Sequence, residues 1–397
     1  MYRVTIYVPD RHLLYDSRTP DRQGVGGGVT ARLRLAQALA ALGHQVTLVA
    51  NLPRSETVGG VNYRPLDQVD RIETDVLVLS SSGGALDLRP VLDLSVQSRW
   101  REVWVHGTAP VKGMDEIGYD DVVAVSNFIR RTVSQEWGVP VGKIFVAYNA
   151  VVGPGGPAPF SGQGRRDPYR LIYSGHPSKG LEAALGVVRL LRAQNPRFEL
   201  HIYGGNRLWG EKEANFASEA GVFYHGLLGQ SRLAQELQRS SFSLHLQAIQ
   251  EGFGLGLIEA LAAGCIVLAS PVGAIVELVR SGSNGFLIPG DHLSSATWER
   301  VTELILQLVR APDFAEYIRH QARNLPWTWE RMARVWTQHW DWVLEQKGEL
   351  ARNAAGSCAC PECGAAWLLM ADGYHCTGCG MYSGSPEPFQ LSKTGQG

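Results

Sequence analysis

Long apolar runs are missing from this chain of 397 residues. None approaches the ~20 residues that span a bilayer. The opening MYRVTIYVPD lacks the extended apolar stretch of a secretory leader. Cysteine is scarce in the body of the chain: of six, five crowd into residues 358–379 and only Cys265 lies elsewhere. That excludes a disulfide framework and fits a reducing compartment, so the expected location is the cytoplasm, with peripheral association at the inner membrane face left open. Charge of one sign is also absent. Lys plus Arg number 37 against 38 for Asp plus Glu, a net charge of -1. Without a global basic field the chain has no general hold on nucleic acid or on an anionic membrane, and no nucleic-acid partner is expected.

What is present is ordinary globular composition, 45% hydrophobic and 19% charged, with an excess of glycine at 45 residues. The length predicts two or three domains. Strand-like segments at 4–8, 45–50, 75–80, 102–105, 121–125 and 144–147 alternate with helical ones, including Val29–Leu42 and Asn127–Trp137. A Pro- and Gly-rich stretch, 152–168, reads as an interdomain linker. The rhythm then restarts with strands at 170–173, 199–203, 222–224, 242–246 and 265–269. Strands spaced by helices predict a parallel sheet covered on both faces, here twice over. Residues 297–347 read as wholly helical. Near their end, Trp329, Trp336 and Trp340 fall at helical spacing and form an apolar stripe that predicts packing across the body. The predicted units are 1–155, 165–325, a Trp-rich helix at 326–350 and a small module at 357–383.

The most informative segment is QEGFGLGLIEALAAGCIVLASPVGAIVELV, residues 250–279. Two carboxylates, Glu251 and Glu259, are separated by seven residues. Between them Gly252, Phe253 and Gly254 let backbone N–H groups approach a ligand. A helix starting near Leu255 would aim its positive end at an anion. Glu251, ahead of the helix, can face a polar group of a ligand, and Glu259, about two turns in, can accept two hydroxyl hydrogens, as a ribose offers.

This segment resembles the signature of family 4 retaining glycosyltransferases, α/β enzymes of the GT-B fold with two facing Rossmann-like domains. The resemblance covers about residues 1–345. Gly26–Gly28 resembles the family's N-terminal glycine loop, and Gly26 and Gly27 are expected to face the donor phosphates. VWVHG at 103–107 places His106 like the family's histidine near the donor sugar. VAYNAV at 146–151 resembles a strand end on the interdomain cleft. YSGHPSKGL at 173–181 resembles the segment that supplies cations to the donor diphosphate, with Lys179 in the lysine position. The family often has an arginine a few residues before that lysine; the segment is shorter here, and His176 stands in its neighbourhood. The resemblance implies a cytoplasmic enzyme that moves a sugar from a nucleotide-sugar donor to an acceptor hydroxyl with retention: a hexosyltransferase-type activity on a glycan, a lipid-linked sugar or a small molecule. The donor lies on the second domain and the acceptor on the first. His106, Glu251 and Lys179 are the expected catalytic residues, with Glu251 orienting the donor sugar. Gly26, Gly27, His176, Lys179, Gly252, Phe253, Gly254 and Glu259 are expected to bind the donor. No catalytic metal is expected. A nucleotide-sugar epimerase or synthase of the same fold, and a non-catalytic scaffold, are the alternatives.

The tail carries a separate signal. Cys360 with Cys363, and Cys376 with Cys379, form two C-x2-C knuckles twelve residues apart, each followed by glycine. Four thiolates in this pattern suit a tetrahedral structural Zn2+ in a zinc ribbon, with a rubredoxin-like iron site the alternative. The ribbon is expected to dock on the body, on an acceptor or on a protein partner.

Overall fold

The computed structural model describes residues 1–83, 85–152, 166–209, 211–212, 217–352, 367–370, 373–376 and 382–383. The first half holds β1 (Arg3–Tyr7), α1 (Thr19–Arg22), α2 (Gly27–Ala41), β2 (Gln45–Ala50), β3 (Glu56–Val58), β4 (Val61–Pro65), β5 (Arg71–Ser80), β6 (Ser95–Val105), α3 (Met114–Ile117), β7 (Asp121–Ala124), α4 (Asn127–Gln135) and β8 (Ile144–Val146). The eight strands run in the order β3-β4-β2-β1-β5-β6-β7-β8. All pairings are parallel except the β3–β4 hairpin at the edge. Continuous apolar runs such as Val76–Leu79 are fully buried, as expected of strands covered on both faces.

The second half holds β9 (Asp167–Gly175), α5 (Leu181–Gln194), β10 (Glu199–Gly204), β11 (Val222–Gly226), α6 (Gln230–Arg239), β12 (Ser240–His245), α7 (Leu255–Ala262), β13 (Ile266–Ala269), α8 (Ile275–Leu278), β14 (Gly285–Leu287), α9 (Ser295–Arg310) and α10 (Pro312–Arg323). Its six strands are all parallel, in the order β11-β10-β9-β12-β13-β14. The strand order reverses between β9 and β12. In open α/β sheets such a reversal leaves a crevice at the carboxyl ends of the strands.

The chain then crosses back. Val151 and Trp327 through Trp329 exchange backbone hydrogen bonds. The long α11 (Trp329–Arg352) lies against α2 of the first half. Its stripe of Trp329, Trp336 and Trp340 is buried. Trp336 meets Trp104 and Trp340 edge-on at 5.2 and 5.7 Å, and the Trp340 indole N–H donates to the buried Glu102 carboxylate at 3.1 Å. The last elements are three short antiparallel strands, β15 (Trp367–Met370), β16 (Gly373–Cys376) and β17 (Tyr382–Ser383). Cys360, Cys363 and Cys379 lie outside the described residues. Of Cys376 only the backbone is described, at the end of β16 and opposite Trp367. No described helix is long and apolar enough to cross a membrane.

Several elements differ from the sequence expectation. The stretch expected to be wholly helical is three helices, interrupted at Ala311 and over 324–328. The linker ends sooner than its proline content implied, since Pro168 lies inside β9. Proline cannot donate to a ladder, and the β9–β12 register shifts between Ser240 and Phe242, at that level.

Candidate active site

A cleft of about 280 Å³ opens where the carboxyl ends of β9 and β12 face the first half. Two helices point their N-termini into it. One is α2, entered through Gly24–Gly28; the other is α7, entered through Gly252–Gly254. Each presents unpaired N–H groups and the positive end of a helix dipole, a combination suited to anions. An added Cβ on Gly27 would lie 3.1 Å from Leu255 Cδ1, so the two helix starts face each other closely.

Lys179 sits on a short turn after β9, and Gly180 behind it is fixed by geometry. Its φ is +94°, and an added Cβ would fall 1.7 Å from the Leu246 carbonyl oxygen. Only glycine fits there. The turn brings Lys179 Nζ to 2.5 Å from Glu251 Oε1. Gln247 Nε2 donates to the same oxygen at 3.2 Å. His245, at the end of β12, faces this pair; burial drives its imidazole down to about 4, so it is neutral at pH 7. His176 is buried, with Nδ1 2.8 Å from Ser178 Oγ and Nε2 3.3 Å from Glu211.

Gly252 is pressed onto the first half. Its carbonyl accepts the Ser126 hydroxyl at 2.7 Å, and an added Cβ would lie 2.2 Å from the His106 carbonyl oxygen. His106 follows β6 and packs on Trp104 at 4.4 Å between ring centroids. Burial holds its imidazole well below the ordinary histidine range. Phe253 is buried against Tyr148 and Trp327.

Glu259 also lines the cleft. It is the fifth residue of α7, one turn in and not the two turns expected, since at about 3.6 residues per turn five residues from Leu255 make little more than one turn. Its carboxylate accepts Gln230 Nε2 at 2.9 Å. Burial pushes it up to about 7, against the lowering effects of Gln230 and Arg34.

Every residue expected at the donor site therefore lines one cleft. Sequence reasoning missed Asn149, Ser174 and Gln247 as site residues, which also line it. Four buried polar atoms have no hydrogen-bond partner: His106 Nε2, Asn149 Oδ1, Ser174 Oγ and Gln247 Oε1. A buried polar atom left unpaired costs about 1–3 kcal/mol, so four in one cleft mark a place for a polar ligand. Three of them follow or end parallel strands, and that position was the available signal. The one group of metal-ligating side chains among the described residues, Glu102, Asp121 and His339, lies apart from the cleft.

Residues 163–325 match the family model described as "Glycosyl transferases group 1". Over 156 residues the chain is 30% identical to a GDP-mannose:cellobiosyl-diphosphopolyprenol alpha-mannosyltransferase of Xanthomonas campestris, a match that spans 37% of this chain and 40% of that relative. The fold is similar to that of a sucrose-phosphate synthase from Thermosynechococcus elongatus, with a TM-score of 0.57 and 18% identity over 89% of this chain and 99% of the other. It is also similar to HepE of Anabaena, solved in complex with UDP-glucose, with a TM-score of 0.57 and 14% identity over 86% and 99%. The body of the chain has the GT-B fold, and its second half, over residues 163–325, is similar to the group 1 glycosyl transferases.

Proposed function

We propose that the protein is a glycosyltransferase that moves a sugar from a nucleotide-sugar donor to an acceptor hydroxyl with retention of anomeric configuration. The observation that carries this reading is the Lys179–Glu251 contact at 2.5 Å, in a cleft between two helix N-termini with four unpartnered buried polar atoms. The Anabaena neighbour's UDP-glucose agrees with a donor of this class.

The roles follow from charge. A leaving nucleoside diphosphate gains negative charge as the glycosidic bond breaks. Lys179 and the N-termini of α2 and α7 stabilise that charge more in the transition state than in the ground state. Without ligand, Lys179 neutralises Glu251. A diphosphate competes for the ammonium and releases Glu251 to orient the sugar hydroxyls. Neutral His106 hydrogen-bonds the donor sugar through Nε2. Glu259 accepts the ribose hydroxyls. His176, Gly26, Gly27, Gly252, Phe253 and Gly254 complete the donor wall. A front-face departure of the leaving group needs no covalent nucleophile, and the acceptor, a glycan, lipid-linked sugar or small molecule, enters from the first half.

The units 1–155 and 165–325 are read as acceptor and donor domains, 326–350 as a helix returning to the first, and 357–383 as a ribbon. The ribbon is assigned a structural Zn2+ on Cys360, Cys363, Cys376 and Cys379, with docking on a protein partner. Its support is the knuckle spacing and the antiparallel pairing of β15, β16 and β17.

The test is thermal unfolding with UDP, GDP, ADP, CDP and dTDP and their sugars, without added metal. A ligand that binds the folded state raises the midpoint. Selective stabilisation by one base, followed by transfer to a hydroxyl acceptor with the donor's anomeric configuration in the product, is expected. No stabilisation by any member, or an altered free nucleotide-sugar without transfer, overturns the reading.

A further inference from the structure

We propose that Arg34, on α2 of the first half, is a positioning residue for the donor's ribose, acting across the cleft through Gln230 on Glu259. This rests on the reading of Glu259 as the ribose carboxylate. The three side chains form one chain of hydrogen bonds, across 196 residues of sequence from Arg34 to Gln230 and 29 more to Glu259. Arg34 donates to Gln230 Oε1 from Nη2 at 2.7 Å and from Nε at 3.1 Å. Gln230 donates from Nε2 to Glu259 Oε1 at 2.9 Å. Arg34 is itself fixed by Asp21 Oδ1 at 2.6 Å and by Gln37 Oε1 at 3.1 Å.

The direction of this relay is determined by chemistry. A guanidinium can only donate, and Glu259 in its ionised form, reached as pH rises through about 7, can only accept. The Gln230 amide between them has one orientation that satisfies both, with oxygen toward Arg34 and nitrogen toward Glu259. Remove the guanidinium and the Gln230 side chain loses the contact that anchors its oxygen, so its N–H is no longer held in place on Glu259. Glu259 keeps its second oxygen and further lone pairs for a ligand diol.

Arg34 acts at one remove. Gln230 and Glu259 line the main cleft, and Arg34 does not. All three line a smaller adjoining cavity of about 160 Å³. The two halves are also seated on one another at this point. An added Cβ on Gly229, which starts α6, would lie 2.1 Å from the Asp21 carbonyl oxygen, and one on Gly24 would lie 3.0 Å from Leu227 Cδ2. The relay therefore exists only while α2 and α6 are in register, so ribose recognition on the second half depends on the position of the first.

The experiment uses the full chain and titration calorimetry. UDP, GDP, ADP and CDP are compared with their 2′-deoxy forms. The wild-type protein is expected to prefer the ribose form of its nucleotide by about tenfold, the scale of one lost hydrogen bond to a charged group. Arg34→Met is expected to weaken the ribonucleotide about five- to tenfold, leave the 2′-deoxy form within about twofold, and so collapse the preference. Gln230→Leu does the same, the double variant is no worse than either single one, and Arg34→Lys restores much of the preference. An unchanged ribose preference in Arg34→Met, or an equal loss for both sugars, overturns the role of Arg34. Where Arg34→Met fails to fold, Gln230→Leu and Arg34→Lys decide the same question. Glu259→Gln separates the two readings. If it keeps the wild-type preference, Glu259 is not the ribose carboxylate and both readings fail. If it alone collapses the preference, only the relay fails.

Discussion

Gly252→Ala is the sharpest perturbation of the proposed site, because its cost is steric and falls between the two halves. Gly252 has no left-handed φ, so alanine meets no backbone strain. Its Cβ, however, would lie 2.2 Å from the His106 carbonyl oxygen and 3.4 Å from Ile129 Cδ1. Ordinary contact begins near 3.4 Å, so the signature loop must retreat by about 1 Å from a backbone atom that has no rotamer to yield. The retreat also stretches the buried 2.7 Å hydrogen bond from Ser126 to the Gly252 carbonyl. Overpacking costs about 1–3 kcal/mol and the weakened hydrogen bond about 1 kcal/mol. At ~2–4 °C per kcal/mol for domains of this size, the unfolding midpoint is expected to fall by roughly 4–16 °C. The same shift moves Glu251 and the start of α7 relative to His106, and a misplacement of ~1 Å can cost ~100-fold in turnover. Differential scanning calorimetry and nucleotide titration read the two effects. Gly107→Ala is the control, since an added Cβ there meets nothing within 4 Å, and its midpoint should match wild type. A Gly252→Ala protein with wild-type midpoint and nucleotide affinity would refute the close packing of the loop on the first half.

Trp340→Ala should destabilise the fold by about 3–5 kcal/mol, seen as a lower denaturant midpoint, whereas Trp340→Phe should cost less and mainly strand the Glu102 carboxylate that the indole N–H serves. Affinity for the selected nucleoside diphosphate should rise as pH passes through about 7, because Glu259 ionises there and only the carboxylate accepts both ribose hydroxyls; Glu259→Gln should flatten that dependence in a titration series. The same raised carboxyl stabilises the unliganded fold below its ordinary value, and that contribution is lost as pH rises through about 7, so the Glu259→Gln and wild-type midpoints should converge at low pH and separate at high pH. Lys179→Met should cut nucleoside diphosphate affinity by ~10-fold or more and leave Glu251 without its cation, while Lys179→Arg should keep part of it.

Much of the framework was legible because burial on both faces writes itself into composition. The runs at Val76–Leu79 and Ile266–Ala269 are continuous apolar segments and became interior strands, paired on both sides. The start of α7 at Leu255 was legible from the glycines before it. The edge hairpin of β3 and β4 was not, since Glu56–Val58 and Val61–Pro65 hold too few apolar residues to stand out from the polar segments around them. The first half of β6, Ser95–Arg101, hid for the same reason. Within the cleft, the signature residues were visible as a local string, but their partners were not. Gln230 and Arg34 reach Glu259 through contacts that have no local periodicity. Ser174 and Gln247 each hold a polar oxygen without a partner in the folded chain, a property that exists only once the strands have brought them together.

The dependence of the proposed donor wall on the first half has a further physical basis in Glu277. This carboxylate, on α8 beyond the signature loop, accepts the backbone N–H groups of Asn127 and Phe128 at 3.0 and 2.6 Å, at the N-terminus of α4 in the other half. The Tyr148 hydroxyl donates to it at 2.7 Å, and burial together with that bond raises the phenol above its ordinary range. A carboxylate seated on a helix start satisfies two N–H groups and complements the helix dipole. Ser126, the cap of the same helix, both accepts the Ile129 N–H and donates to Gly252. One helix start thus grips the second half at two points, Gly252 and Glu277, that bracket α7. The segment 163–325 that matches the family model contains the carboxylates and the lysine but not the surface that seats them. His106, Asn149, Ser126 and the Gly24–Gly28 loop come from the other half. On the proposed function, specificity for the acceptor is therefore to be sought in residues outside the matched segment, where the first half lines the cleft opposite α7.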